Sequence, residues 1–170
     1  MRVFSAGMVT VSLLGALLGT GCAGRRIEQG VYHSDKGYRV RIPGPEWTVV
    51  DGSRADLELR PRNGRAGMLA NATCEAQVAR RSASVLKRQL LLGLPDRRLI
   101  EEQVVLVAGR PGTRAVVEAG GDDAGRVRIE TVTVSDTRCV YDLAYAAPVD
   151  VFAEWYREFG EFVASFTLER

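Results

Sequence analysis

The chain has 170 residues, 46% hydrophobic and 26% charged, with a formal net charge of +2. That hydrophobic content excludes a disordered chain. A charge so near balance excludes the clustered basic excess of a nucleic-acid binder.

Met1-Arg2 is a short positive start, and residues 3–18 form an apolar run broken by Ser5, Gly7, Thr10, Ser12 and Gly15. The run is too short and too glycine-interrupted for a permanent membrane span and suits a cleaved signal peptide. It closes on Leu17-Leu18-Gly19-Thr20-Gly21-Cys22, the pattern of a bacterial lipoprotein cleavage box. Residues 1–21 are then removed, and Cys22 becomes the first residue, its sulfur carrying diacylglycerol and its amine a palmitate-type chain. A thiol is required at that position because the sulfur takes the lipid. Gly21 and Cys22 match the pattern. Gly19 departs from it, since leucine is usual there and Leu18 sits one place earlier. The alternative is a plainly secreted protein with an incidental cysteine. Two or three acyl chains hold a protein stably where one does not. By resemblance to enterobacterial sorting, Ala23 after the cysteine favours the outer membrane, facing the periplasm. No later segment is long and apolar enough to span a bilayer.

Removal of 21 residues from 170 leaves 149, the size of one domain. Residues 22–30 form a polar tether, and residues 31–170 the domain. From Ala23 to Gly30 the tether reaches at most roughly 29 Å, which keeps the domain close to its membrane.

Val31-Tyr32-His33 and Tyr38-Arg39-Val40-Arg41-Ile42 flank the turn-rich Ser34-Asp35-Lys36-Gly37 and predict a hairpin. Tyr38, Val40 and Ile42 alternate with Arg39 and Arg41, the period of a half-buried strand. Pro43-Gly44-Pro45 ends it. Trp47-Thr48-Val49-Val50 is the next strand. Ala55, Leu57 and Leu59 alternate with Asp56, Glu58 and Arg60 in another, and Pro61-Arg62-Asn63-Gly64 turns the chain. Residues 68–75 return, with Met68, Ala70, Ala72 and Cys74 on one face.

Ser82 or Ser84 caps a helix running to about Leu92, ended by Gly93 and Pro95. Residues 104–107 are continuously apolar and predict a central strand. Arg110-Pro111-Gly112-Thr113 has the order of a type II turn. Residues 114–118 return, and the glycine-rich loop 120–125 leads to a long pair, 127–134 and 139–146. Cys139, Tyr141, Leu143 and Tyr145 share one face of the last strand. Pro148 suits the first position of a C-terminal helix, where a missing N–H costs nothing. Val149, Phe152, Tyr156, Phe159, Val163 and Phe166 make its apolar stripe, widened by Trp155 and Phe162. Its polar face carries Glu154, Glu158 and Glu161 against Arg157, which does not suit a helix lying in a membrane.

This order of elements resembles the PsbP-like fold, named for an extrinsic subunit of photosystem II and found also in small bacterial lipoproteins. The resemblance covers roughly residues 31–168. It rests on Tyr38-Arg39-Val40-Arg41-Ile42-Pro43 followed by Trp47, the helix near 82–92, the long strand and Pro-Gly hairpin at 104–118, and Phe162-Val163-Ala164-Ser165-Phe166. It implies an α+β fold, an antiparallel β-sheet flanked by helices in an α/β/α sandwich. It also implies a non-catalytic accessory or assembly role, without photosynthesis. No site motif is available to carry over.

Cys74 and Cys139 both fall on buried faces of predicted strands. In an oxidising compartment they are a candidate disulfide, worth roughly 4 kcal/mol by the chain-entropy argument. Two buried free thiols are the alternative. His33, the only histidine, cannot form a triad with its turn neighbours Ser34 and Asp35, and one histidine without a cysteine cluster predicts no zinc site. Asp122-Asp123 lacks the spacing of a calcium loop. Gly109-Arg110-Pro111-Gly112-Thr113 lacks the lysine and following helix of a phosphate loop. Arg60, Arg62 and Arg65 on one hairpin, with Arg80, Arg81, Arg97 and Arg98 around the helix, predict a solvated basic edge, with headgroup contact as the alternative.

These readings predict a lipid-anchored, non-enzymatic domain without cofactor or metal. It would face the periplasm and bind another protein of a cell-envelope complex. The alternative is a carrier or sensor holding a small apolar ligand between the sheet and the C-terminal helix.

Overall fold

The computed structural model describes residues 26–62, 64–75, 95–120 and 125–169. The expected signal peptide and Cys22, the helix expected at 82–92, Arg80, Arg81 and Asp122-Asp123 lie outside the described residues. Two antiparallel sheets carry the fold. The smaller contains β1 (Arg26–Glu28), β2 (Val31–Ser34), β3 (Tyr38–Arg41) and β11 (Thr167–Leu168), in that order. The larger is built from β4 (Trp47–Val49), β5 (Leu57–Pro61), β6 (Gly67–Thr73), β7 (Arg98–Val107), β8 (Arg110–Gly120), β9 (Arg126–Ser135) and β10 (Val140–Pro148). Its order is β4-β5-β6-β10-β9-β8-β7. A 3-10 turn, Phe152–Trp155, leads into α1 (Tyr156–Ser165). The described elements thus give two sheets and one helix where a single sheet flanked by helices was expected.

The β2–β3 hairpin forms as the alternation predicts. Tyr38 and Val40 are buried and Arg39 and Arg41 exposed, and the Gly37 N–H donates to the Ser34 carbonyl at 3.2 Å. The domain starts earlier than expected. Residues 26–28, placed in the tether, pair with β2 in the register Arg26↔His33. A two-residue turn at Gln29-Gly30, with φ of 49° and 75°, makes this possible.

Along β6 and β10 large residues stand opposite small ones: Tyr141 against Ala72, and Leu143 against Ala70. The alanines make room for the rings. One step beyond the last pair, Thr73↔Val140, Cys74 and Cys139 form a disulfide. Asp136 holds the turn before it, accepting from the backbone N–H groups of Arg138 and Cys139 at 2.7 Å each.

The core lies between the large sheet, the small sheet and α1. Tyr38, Tyr141 and Phe166 meet at centroid distances of 5.5–5.8 Å. Tyr145 packs on Phe152 at 4.8 Å and Phe159 at 5.6 Å, and its hydroxyl donates to the Phe152 carbonyl. Trp47 meets Trp155 edge to face. One polar node joins the two sheets. The Asp56 carboxylate accepts from Lys36 Nζ (2.6 Å), the Tyr38 hydroxyl (3.1 Å) and the Ala72 N–H (2.8 Å). Burial, then the Asp56 charge, pushes the Tyr38 hydroxyl far above the usual phenol range.

Three local expectations are corrected. Residues 104–107 belong to β7, which among the described residues is an edge strand, not a central one. The β7–β8 turn is Ala108-Gly109, with φ of 49° and 74°, and Arg110-Pro111-Gly112-Thr113 lies within β8. Pro111 is tolerated there because β9 pairing stops at Gly112↔Val134, leaving it opposite Leu106 of β7 alone. Gly112 is needed for a different reason: a Cβ would stand 2.8 Å from the Thr133 carbonyl oxygen. Pro148 closes β10 opposite Val127 and does not open the helix. The chain turns first, with the Val151 N–H on the Pro148 carbonyl. The helical phase therefore starts later. Phe159 and Phe162 become its deepest residues and Tyr156 faces outward.

Candidate functional site

The face of the large sheet that α1 covers changes character from strand to strand. On β10 it presents Tyr141, Leu143 and Tyr145. Pairing places Val134, Val132, Glu130 and Arg128 of β9 on the same face. On β8 the corresponding residues are Gly112, Arg114, Val116 and Glu118, and on β7 Val105, Gln103 and Glu101. Apolar groups thus give way to charges within one strand spacing.

Those charges are paired. Arg114 holds Glu130 through two bonds, Nε to Oε1 at 2.7 Å and Nη2 to Oε2 at 3.0 Å. Its Nη1 reaches Glu101 at 3.0 Å, and Nη2 also donates to the Tyr156 hydroxyl at 2.8 Å. The bond to Glu130 raises the Arg114 guanidinium above its already high range. Arg128 donates to Glu118 Oε1 from Nε and Nη2 at 3.1 and 2.7 Å and lies 5.3 Å from the centre of the Phe152 ring. Arg98 reaches the other oxygen of Glu118. The Arg128 bonds hold the Glu118 carboxyl below the usual range. These paired charges make an ionic floor.

Above this floor is a concavity of about 360 Å³, between β7–β9 and the leading end of the C-terminal helix. Ile100, Val116, Phe152, Ala153 and Tyr156 supply its apolar lining, and Arg114, Glu101, Arg128 and Glu130 its ionic lining. Beside it runs β7, the end strand of the large sheet among the described residues. Val104 is 79% exposed, Leu106 75%, Leu99 54% and Ile100 43%. A β-bulge between Leu99 and Glu101 interrupts the first part of this strand. Residues 102–107 carry no proline, bulge or basic side chain to blunt the edge.

The residues singled out from sequence lie elsewhere. His33 is on the outer face of the small sheet, with Nδ1 3.1 Å from Glu169 Oε1. Arg60 pairs with Glu58 and Arg65 with Asp150, so the hairpin arginines are dispersed over separate partners. Gly109-Arg110-Pro111-Gly112-Thr113 is a hairpin turn and strand. Among the described residues no group of three candidate metal ligands comes together. Arg114, Glu118, Arg128 and Glu130 were not singled out. Their signal was the equal parity of Arg114 and Glu118 on one strand and Arg128 and Glu130 on the next.

No known sequence family matches the chain, and no characterised protein matches it by sequence. Solved structures do. Cyanobacterial PsbP (CyanoP) from Synechocystis superposes with a TM-score of 0.60 at 14% identity, over 91% of this chain and 98% of that one. The fold is PsbP-like. LpqN, described as involved in cell envelope biogenesis of Mycobacterium tuberculosis, matches this PsbP-like chain at 0.56 and 16% identity, over 81% and 88%. A Pseudomonas aeruginosa protein of unknown function, PA94, matches at 0.52 and 12%, over 79% and 93%. Identities this low carry the fold alone.

Proposed function

We propose that this chain is a lipid-anchored, non-enzymatic accessory domain of the bacterial cell envelope. Cys22 holds it to the membrane, and the outer edge of β7 binds another envelope protein. The β7 edge carries the proposal. β7 pairs with β8 on one side and is the end strand of the large sheet among the described residues, and Val104 and Leu106 on it are largely exposed, which suits strand addition by a partner. The ionic floor beside the edge offers fixed charges that select which partner docks. The lipoprotein box, and the envelope role stated for LpqN, support the location; Ala23 favours the outer membrane, facing the periplasm.

The test is a photo-crosslinking residue at Leu106 in intact cells, with the same residue at Glu161 on α1 as control. A discrete protein adduct at 106 and none at 161 is expected. No adduct at 106 would remove the binding role from this edge. The carrier alternative keeps one supporting observation, the concavity of about 360 Å³ at the leading end of the helix. Deeper along α1, Phe159 packs on Tyr145 at 5.6 Å and on Phe162 at 6.3 Å between ring centres. Native mass spectrometry of protein extracted from envelopes would show a bound small molecule if the carrier alternative held.

A further inference from the structure

The outer face of the small sheet, away from β7, carries a second group of exposed charges. Along β3, Arg39 and Arg41 point away from the core while Tyr38 and Val40 point into it. Successive outward residues on a strand are about 7 Å apart. Arg39 Nε donates to the Thr167 hydroxyl at 2.8 Å, and the backbone N–H of Arg41 to the Ser165 hydroxyl at 2.9 Å. Neither guanidinium meets a carboxylate among the described residues. Arg114, Arg128, Arg60 and Arg65, by contrast, each hold one. The two arginines border a shallow concavity of about 880 Å³ that reaches Ser165 and Thr167. Glu28 shares this concavity, and Glu169 at its side is bonded to His33.

The position of this face matters as much as its charge. β1 is the first strand of the same sheet and begins at Arg26. Four residue steps separate it from Cys22, a reach of at most about 14 Å. Acyl chains on Cys22 would therefore bring the bilayer surface to this sheet, within reach of the headgroup field.

We infer that the outer face of the small sheet seats on an anionic phospholipid surface, with Arg39 and Arg41 binding headgroup phosphates. This deepens the anchored-domain reading and rests on it, because the anchor supplies the proximity.

The experiment uses the mature protein purified from membranes, with Cys22 first checked for acyl chains by mass spectrometry. It is reconstituted into vesicles of phosphatidylcholine alone or of phosphatidylcholine with phosphatidylglycerol. Arginines are then modified with phenylglyoxal and mapped. On the anionic vesicles Arg39 and Arg41 should react at least about fivefold more slowly than on neutral ones. The highly exposed Arg157 should react equally on both. Acylated Cys22 with no protection of Arg39 and Arg41 overturns the inference and leaves the anchor standing. If Cys22 is unmodified the anchor reading fails, and sedimentation with the same vesicles decides the face alone. Binding to anionic vesicles that an Arg39→Glu, Arg41→Glu variant loses would keep it. Absence of binding, or binding that the variant retains, would overturn it.

Discussion

Tyr145 on β10 and Glu130 on β9 are cross-strand partners on one face of one sheet, yet they belong to different kinds of structure. On the Tyr145 side the sheet points rings at α1, and Phe152, Phe159 and Phe162 fill the space. On the Glu130 side it points paired arginines and glutamates inward and leaves Val104 and Leu106 outside. The first region follows the usual rule of apolar in and polar out; the second partly reverses it. Apolar burial holds the first together, and its contacts leave no free surface. The second is held by directional charge pairs, and its apolar groups remain available to another molecule. The half that stabilises the fold and the half suited to recognition are thus adjacent strands, not separate domains.

The contrast breaks most easily at the core. Phe162→Ala should destabilise the protein by about 3–5 kcal/mol, because the ring is fully buried and the cavity cannot close. Urea unfolding measures this, and a loss under 1 kcal/mol would mean that the aromatic cluster is not the main support. Removing the disulfide by Cys74→Ser with Cys139→Ser should cost somewhat less, about 2–4 kcal/mol, by the same measurement. In the ionic half, Arg114→Met strands Glu130 and should cost about 2 kcal/mol. Adding Glu130→Met should recover most of that loss, which no pair of core truncations would do.

The pH dependence sharpens the comparison further. Glu118 lies below the usual carboxylate range in the folded state, chiefly through its bonds to Arg128. Its contribution is therefore present above the ordinary carboxylate pKa and lost as pH falls through the lower folded value. Asp142, on the opposite face, is raised by burial, which the Thr133 hydroxyl bond at 2.6 Å only partly offsets. Its effect has the other sign, taking stability away as pH rises past the ordinary range. Melting temperature against pH should show a flatter acid limb in Glu118→Gln, and in Asp142→Asn a gain that appears only as pH rises past the ordinary carboxylate range. The smallest effect on stability belongs to Val104→Lys, introduced beside the crosslinking residue at position 106, within about 0.5 kcal/mol. Loss of the partner crosslink at an unchanged melting temperature would separate the recognition edge from the fold.

Period-two patterns explain what could be read from the chain. Tyr38 and Val40 alternate with arginines, and Cys139, Tyr141, Leu143 and Tyr145 share one parity, so their inward faces and the cysteine pairing were legible. β7 was misplaced because an unbroken apolar run looks the same whether both faces are covered or neither is. What decides is the number of neighbouring strands, which no local pattern contains. The start of the helix was obscured by Pro148, a residue as acceptable at the end of a strand as at the first turn of a helix. The ionic floor needed the register between β8 and β9 before Arg114 and Glu130 could be seen as partners. The helix expected at 82–92 and the acylation expected at Cys22 concern residues outside those described.

The disulfide has one more consequence, which concerns survival among proteases. Cys74 and Cys139 lie 65 residues apart in sequence, and all of β7, β8 and β9 fall between them. That meander is therefore part of a covalent ring. A single cut anywhere between the two cysteines, including the projecting Ala108-Gly109 tip, opens the ring but sets no fragment free. The nicked molecule keeps its mass until a reductant reaches the bond, and both pieces remain attached to whatever holds the first strand.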